Sequence, residues 1–379
     1  MSIRRWKIDG PGTNLMLNKN RVLQSGKFSI TVFATQRIFL VTAALYSMYL
    51  LEKITRLPNS IRHSTHTTLR TRKLNFTDAL WSINTSMLVE TTKGSLDQAS
   101  VDHVREVILP FIDLEHPIPA KECPFNIDDL PAVTCEENVF EGKAEIPNVI
   151  VDRFLIDNEL DVLEVRLNEI SHIVDKFFIF ESAVDHHGLD KPLIFERNKH
   201  QKRFSKFKDK IVHVTLDNAA LMRNSTKSGI WKWENLAHQV MRRYFLNLTE
   251  QLYPDSDGRL LAVAGHVDEI PSLYTLRRLQ QCRLKKKDAI IDIGTWMIQG
   301  VFDQVFRSDH PIPSFPYTFG NPAVGKPSLK LDRAYGHHAR TNGYLLGGWH
   351  MTGNIYIPAW LLKRLSCTEC HGNITKVVE

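Results

Sequence analysis

The chain has 379 residues, 43% of them hydrophobic, enough apolar material for one large globular domain with attachments and too much for a mostly disordered protein. Its formal charge of +6 is unevenly placed: residues 1–73 carry 13 Lys or Arg against Asp9 and Glu52, so the remainder of the chain is acidic. Basicity confined to an N-terminal tail suits membrane targeting and, with no DNA- or RNA-binding motif present, argues against a nucleic-acid partner.

In chain order, residues 1–27 form the basic tail, and residues 28–51 form an apolar stretch broken only by Gln36 and Arg37. The uncharged run 38–51 is shorter than the roughly 20 residues a spanning helix needs. A span therefore requires residues 28–35 to join it, with Arg37 reaching toward the head groups. A signal anchor is the expectation; a cleaved secretory signal and an Arg-rich transit segment are the alternatives. Residues 52–147 lack sustained periodicity and are rich in Thr, Ser and Pro, which reads as a stem or linker with short helices at most. Asn-x-Ser/Thr sequons occur at Asn75, Asn84, Asn224, Asn247 and Asn373, acceptors only if the chain is translocated. Five cysteines, Cys123, Cys135, Cys282, Cys367 and Cys370, suffice for one or two disulfides in an oxidising compartment. The Cys367-Thr-Glu-Cys-His371 run formally matches a c-type haem attachment signal, but a local disulfide or two free thiols is the simpler reading.

From residue 148 to 379 the pattern becomes that of a folded domain. Leu160, Leu163, Leu167, Ile170 and Val174 recur at three- and four-residue steps, predicting a helix that begins near Asp157 and Asn158. Strands are predicted over 177–180 (FFIF), 211–216 (IVHVTL), 260–265 (LLAVAG) and 289–298 (AIIDIGTWMI). A helix is predicted over 272–284, with Ser272 as its N-cap. Strands alternating with helices indicate an α/β domain with a mainly parallel sheet, whose ligands sit at the carboxyl ends of strands.

Two polar clusters fall at such ends. Gly265-His266-Val267-Asp268-Glu269-Ile270-Pro271 follows a strand directly. An acid in that place can hold a divalent cation, which in turn stabilises charge on a departing diphosphate. The plainer alternative is a solvated turn, with Glu269 near the N-terminus of the next helix. The second cluster is Glu181-Ser182, followed by Asp185-His186-His187-Gly188. Glu181 is a candidate to accept hydrogen bonds from a ribose or base and Lys191 to meet a phosphate, whereas His186 and His187 read as loop surface. No G-x-G-x-x-G and no P-loop signature occurs, which removes most support for dinucleotide oxidoreductases and P-loop ATPases.

The blocks Asp161-Val-Leu-Glu-Val-Arg-Leu-Asn-Glu169, Val174-Asp-Lys-Phe-Phe-Ile-Phe-Glu-Ser182, Lys191-Pro-Leu-Ile-Phe195, Arg203-Phe-Ser-Lys-Phe-Lys-Asp-Lys-Ile211, Val267-Asp-Glu-Ile-Pro-Ser272 and Gly348-Trp-His350 appear in an order that resembles glycosyltransferase family 17. These are the β-1,4-mannosyl-glycoprotein 4-β-N-acetylglucosaminyltransferases that add the bisecting residue to N-glycans. The likeness runs from about Asn148 to Cys367. It implies a GT-A-like, Rossmann-type nucleotide-sugar-binding domain, a UDP-N-acetylglucosamine donor, an N-glycan acceptor, a divalent metal (Mn, or Mg) and a type II Golgi membrane protein with its catalytic domain in the lumen. The chain departs from the family's Asp-Val-Asp-Glu-Ile-Pro at its first acid, which is His266 here. It departs again after His350, where Met351-Thr-Gly-Asn354 replaces an aromatic and cysteine-containing continuation.

On this reading Asp268 is the metal ligand, with His266 able to ligate as neutral imidazole. Inversion at the donor's anomeric carbon needs a carboxylate base, for which Glu269 and Asp292 are the candidates, Glu269 slightly preferred. Arg340, His337 and His338 are expected to approach the diphosphate, and Trp349, beside His350, to stack on a sugar or pack in the core. The rival readings are a family member that binds a nucleotide sugar or glycan without turnover, and a transferase of the same fold with another donor or acceptor.

Overall fold

A computed structural model of the chain describes residues 97–113, 130–136, 139–216, 232–256, 258–299, 322–328, 342–352 and 357–366, with isolated positions 79, 82 and 331. The segment 28–51 read as an anchor lies outside the described residues, as do Asn75, Asn84, Asn224, Asn373, Cys123, Cys367, Cys370, His337, His338 and Arg340. Among the described residues no helix is long and apolar enough to cross a membrane.

The described elements are α1 (Gln98–Ile112), β1 (Phe140–Lys143), β2 (Val149–Ile156), α2 (Leu160–Ile170), β3 (Val174–Ser182), α3 (Ile194–Asn198), α4 (Lys202–Ser205), β4 (Ile211–Leu216), α5 (Lys232–Leu252), β5 (Leu260–His266), β6 (Glu269–Pro271), α6 (Leu273–Gln281), β7 (Cys282–Leu284), β8 (Ile291–Gln299), β9 (Ala323–Gly325), β10 (Gly343–Thr352) and α7 (Ile357–Ser366). Eight strands form one sheet in the order β4-β3-β2-β5-β9-β8-β10-β6. The β4, β3, β2 and β5 neighbours are parallel, β9 runs antiparallel to both β5 and β8, and β10 is parallel to β8. The α/β class and mostly parallel sheet expected from the alternation of patterns are thus observed.

Side chains alternate across a strand, so each central strand feeds two cores. Phe154, Phe177, Ile179, Val263 and Ile291 point to one face, where Leu160, Leu163, Leu167 and Ile170 of α2 meet them. Leu155, Phe178, Phe180, Ala262 and Ala264 point to the other, against Ala237, Val240, Met241 and Phe245 of α5. The result is a sheet covered on both faces by helices, the arrangement that lets near-continuous apolar strands be buried.

Several readings differ from expectation, among them the helix read through Val174, which ends at Ile170 with Val174 opening β3. The domain reaches back beyond residue 148: α1, inside the stretch read as stem, places Val104, Ile108 and Ile112 in the larger core. The helix predicted to Leu284 ends at Gln281, because Cys282 forms a disulfide with Cys135 and residues 282–284 pair with β1 instead. Strand β2 lies at the centre of the parallel half of the sheet, although no strand is predicted there. Ser272 caps α6 as expected, its hydroxyl accepting from the Thr275 amide at 3.2 Å.

Candidate active site at the ends of the central strands

The chain leaves β2 for β3 and β4 on one side and returns to lay β5 on the other. The carboxyl ends of β2 and β5 therefore flank a topological switch point, where open α/β sheets form their ligand crevice. A small, partly open cleft of about 10 Å3, room for about one water molecule, lies there, walled by Ile156, Asp157, Ser182, Asp185, Lys191 and Trp233. Lys191 pairs with Asp157 at 2.9 Å. Ser182 donates its hydroxyl to the Val184 carbonyl at 2.7 Å. Gly188 adopts φ +83°, and a Cβ there would come within 2.3 Å of the Trp233 ring, so only glycine lets this loop lie against the indole. Asp185 anchors the same loop, accepting the His187 and Leu189 amides at 2.9 Å each and pairing with Arg105 at 2.9 Å. Burial outweighs these partners and pushes its pKa up to about 6.

Glu181, expected to contact a ligand, is turned to an internal task. One carboxylate oxygen accepts the Phe195 amide at 2.7 Å, and the other accepts the Glu196 amide at 3.0 Å and lies 3.2 Å from His213. It thus caps the first turn of α3 from a distance, a role that only the fold reveals.

The turn 266–269 is held from beneath. Arg166, fully buried on α2, grips Asp152 of β2 with two bonds of 2.7 Å. Its remaining nitrogen donates to the carbonyls of His266 (2.9 Å), Val267 (3.3 Å) and Glu269 (2.7 Å). Glu269 closes the turn from the same side, its carboxylate accepting the His266 amide at 2.9 Å; burial raises its pKa. Asp268 points elsewhere. It pairs with Lys363 of α7 at 3.0 Å and approaches His350 at 3.7 Å, and Lys363 also bridges to Glu159 at 2.8 Å. Burial works against the Asp268 carboxylate, but Lys363 and His350 outweigh it and hold its pKa well below the usual carboxylate range. Burial likewise opposes protonation of His350, and the Asp268 bond and charge reverse it, raising its pKa.

His266 has different company. Its Nε2 lies 3.0 Å from Nε2 of His238 and 3.6 Å from the Glu234 carboxylate, both on α5, and Glu234 is 3.9 Å from His238. The two imidazoles lie nearly parallel, centroids 5.1 Å apart. Burial and the neighbouring His266 keep the His238 pKa well below its ordinary value, so that ring is neutral, the form in which imidazole ligates. Two imidazoles and a carboxylate suit a divalent transition metal. Asp268, with an ammonium 3.0 Å from its carboxylate, suits a cation less well.

The β8–β10 register sets the far wall. Tyr344 pairs with Asp292, Leu346 with Gly294 and Trp349 with Trp296, so these side chains share one face, and Asp292 lies level with Ala264 of β5 through Ala323. Ala264 and His266 alternate onto that same face. Trp296 and Trp349 are each 41% exposed, so Trp349 is not a core residue. His350, opposite Glu269, faces the other way and is buried. Gly348 makes the bulge behind Trp349 possible: its φ is +144°, and a Cβ would sit 2.4 Å from the Ile270 carbonyl. The structure therefore gathers Ser182, Lys191, His266, Asp292 and Trp349 toward the α5 side of the sheet, sends Asp268, Glu269 and His350 to the other, and adds Glu234, His238, Asp157, Arg166 and Trp296, none given a site role from sequence. Glu234 and His238 share an i, i+4 spacing on a helix, the one local signal that would have marked them.

Residues 107–297, just over half the chain, match the family model described as Glycosyltransferase family 17. Among curated proteins the chain is similar to β-1,4-mannosyl-glycoprotein 4-β-N-acetylglucosaminyltransferase of Rattus norvegicus, 31% identical over 74 residues, and to those of Homo sapiens and Mus musculus, each 30% identical over 74 residues. Each alignment covers 20% of this chain and only 14% of the relative. No solved structure matches.

Proposed function

Since the chain belongs to glycosyltransferase family 17, we propose that it is an inverting, divalent-metal-dependent enzyme of GT-A-like fold that moves N-acetylglucosamine from UDP-N-acetylglucosamine in β-1,4 linkage to the core mannose of an N-glycan. The observation that carries this reading is spatial. The matched residues supply the cleft at the switch point, the turn beside it and the strand bearing Asp292, which supports a donor site and a carboxylate on one face of one sheet.

In the proposed reaction the acceptor hydroxyl attacks the anomeric carbon, its proton passes to a carboxylate, and the bond to the diphosphate breaks with UDP leaving. The shared face of Asp292, His266, Trp296 and Trp349 supports Asp292 as the base over Glu269, which lies beneath the turn and holds the His266 amide. Ser182 and the Asp157–Lys191 pair flank the mouth of the cleft, against which the nucleoside would lie, and the two exposed tryptophans offer apolar ring faces to a sugar. A bound divalent cation would stabilise the charge that develops on the departing diphosphate. Incubating the full chain with UDP-N-acetylglucosamine, Mn and a biantennary N-glycan should add one N-acetylhexosamine to the glycan by mass spectrometry. Asp292→Asn should lower kcat by about 10²–10⁴-fold, the usual weight of a general base. Full activity in that variant would return the role to Glu269.

The ion pair of Asp268 with Lys363 favours a second reading, a protein that holds a nucleotide sugar without turnover. UDP binding with neither hydrolysis nor transfer to any N-glycan would establish it. Placement in the Golgi as a type II membrane protein, with 28–51 as the anchor, is part of the proposal. The Cys135–Cys282 disulfide and the exposed Asn247 sequon on α5 support an oxidising, lumenal setting. Peptide-N-glycosidase should lower the apparent mass of the full chain expressed in a eukaryotic cell; no shift, with fractionation to another organelle, overturns that placement.

A further inference from the structure

We infer that Glu234, His238 and His266 form a binding site for a divalent transition metal, and that Asp268 is not one of its ligands. The inference begins from three separations. The ligand atoms stand 3.0, 3.6 and 3.9 Å apart. Atoms that each bind one ion at about 2.0–2.2 Å must stand about 3.0–3.6 Å apart at tetrahedral or octahedral angles, so the triad needs only a few tenths of an ångström to close. Among the described residues it is the one group of three or more such side chains brought this near to one another.

The scaffold holds the ligands from two directions. Glu234 and His238 sit one turn apart on α5, so they project from one side of the helix. That side faces the sheet, because Ala237 and Met241 beside them pack on β2, β3 and β5. His266 ends β5, and its backbone is fixed by the Glu269 carboxylate on its amide and by Arg166 on its carbonyl. The ligands are half-buried, with side-chain exposures of 17%, 21% and 27%, which leaves an approach for an ion and for the oxygens of a ligand. The next residues along, Trp233 and Ala237 of α5 and Leu155 alongside His266, line the cleft itself. An ion in the triad would therefore sit at the rim of that cleft, where a phosphate group of a bound nucleotide can complete its coordination.

The donor set also fixes the class of ion. Two imidazoles with one carboxylate favour Zn, Co or Mn over Mg and Ca, which take oxygen ligands. Asp268 is excluded on geometry: Lys363 already stands 3.0 Å from its carboxylate and links it to Glu159. The site stands on its own geometry, and only its part in sugar transfer rests on the functional reading above.

Cobalt(II) titration of the chelator-stripped full chain, read by visible absorption without any nucleotide, tests the inference. A site with imidazole and carboxylate donors should give visible bands without the near-ultraviolet thiolate transition that Cys367 and Cys370 would produce. His238→Ala should abolish those bands, and Glu234→Gln should weaken cobalt binding about tenfold or more, the size seen even when an outer-shell partner is lost. Cys367→Ser/Cys370→Ser and Asp268→Asn should leave the bands in place. His266→Asp should retain a site but shift its preference from cobalt or zinc toward Mn. Circular dichroism separates loss of the ligand from loss of the fold; if His238→Ala does not fold, Glu234→Gln decides. Bands that persist unchanged in a folded His238→Ala or Glu234→Gln, or that vanish in Asp268→Asn, overturn the assignment. A protein that loads cobalt through the triad yet neither cleaves nor transfers from UDP-N-acetylglucosamine upholds the site and counts against the functional reading alone.

Discussion

Arg166 is the side chain whose removal should disturb the molecule most. It is fully buried, and it joins three elements: its own helix α2, Asp152 on β2 and the turn after β5. Truncation to Met keeps the stem over Phe154, whose ring lies 4.5 Å below the guanidinium, but leaves the Asp152 carboxylate buried without its cation and three carbonyls without a donor. Breaking one side of a buried pair costs about 3–5 kcal/mol, against about 1 kcal/mol for an exposed one, so the lower bound here is about 3 kcal/mol. Asp152→Leu should cost a similar amount. The double variant Arg166→Met/Asp152→Leu should cost far less than the sum, because an apolar pair replaces the ionic one and only the turn carbonyls remain unserved. Urea denaturation followed by tryptophan fluorescence measures all three. Arg166→Lys is expected to restore only part of the stability, since one ammonium cannot both grip a carboxylate with two bonds and reach three carbonyls. Single variants within about 1 kcal/mol of the parent, or a double variant as costly as the two singles added, would refute the claim that this network holds the turn.

Reduction of Cys135–Cys282, or Cys135→Ser, should lower stability by up to about 5 kcal/mol on the loop-closure estimate for a sequence separation of 147, read by denaturation with and without reductant. Unchanged stability, with both thiols alkylated in the native protein, would exclude the bridge. Gly348→Ala should cost about 2–4 kcal/mol, from the strained φ and the Cβ against the Ile270 carbonyl, and should also displace Trp349; a melting temperature equal to that of the parent contradicts the tight bulge. Asp185 supplies the pH dependence. Its folded pKa of about 6 lies above the 3.8 ordinary for an aspartate, so the stability it contributes is fully present below about pH 4 and is lost as pH rises through 6, a swing of about 3 kcal/mol at most. Asp185→Asn should flatten the slope of stability between about pH 4 and 6, and an unaltered slope removes Asp185 as its source.

The parts of the fold legible in sequence were those whose pattern is local and unbroken. The apolar runs of β3, β4, β5 and β8, the α2 leucines and the Ser272 cap all appear where their periodicity puts them. Strand β2 was hidden because Asp152 and Arg153 interrupt its apolar run, and only the fold supplies their compensation: Arg166 for Asp152, and the Phe245 ring 5.4 Å from the Arg153 guanidinium. Helix α5 was hidden by a narrow stripe of Ala237, Val240, Met241 and Phe245 among charged residues. The site suffered most. His266 is legible as an odd residue in an acidic turn, yet its partners lie 28 and 32 positions earlier, on a helix where their i, i+4 spacing is the one local signal. Glu181, Asp268 and Glu269 looked like ligand-facing acids because they follow strands, whereas their partners are a helix N-terminus, a lysine on α7 and a backbone amide.

The central claim, that the α5 side of the sheet at the β2–β5 switch point is the donor site, is tested most directly by a structure of the full chain soaked with Mn and UDP. The nucleoside should lie at the cleft walled by Asp157, Ser182 and Trp233, the diphosphate beside His266, and Mn between Glu234, His238 and His266. UDP bound on the other face of the sheet, or Mn bound to Asp268 with Lys363 displaced, would contradict it.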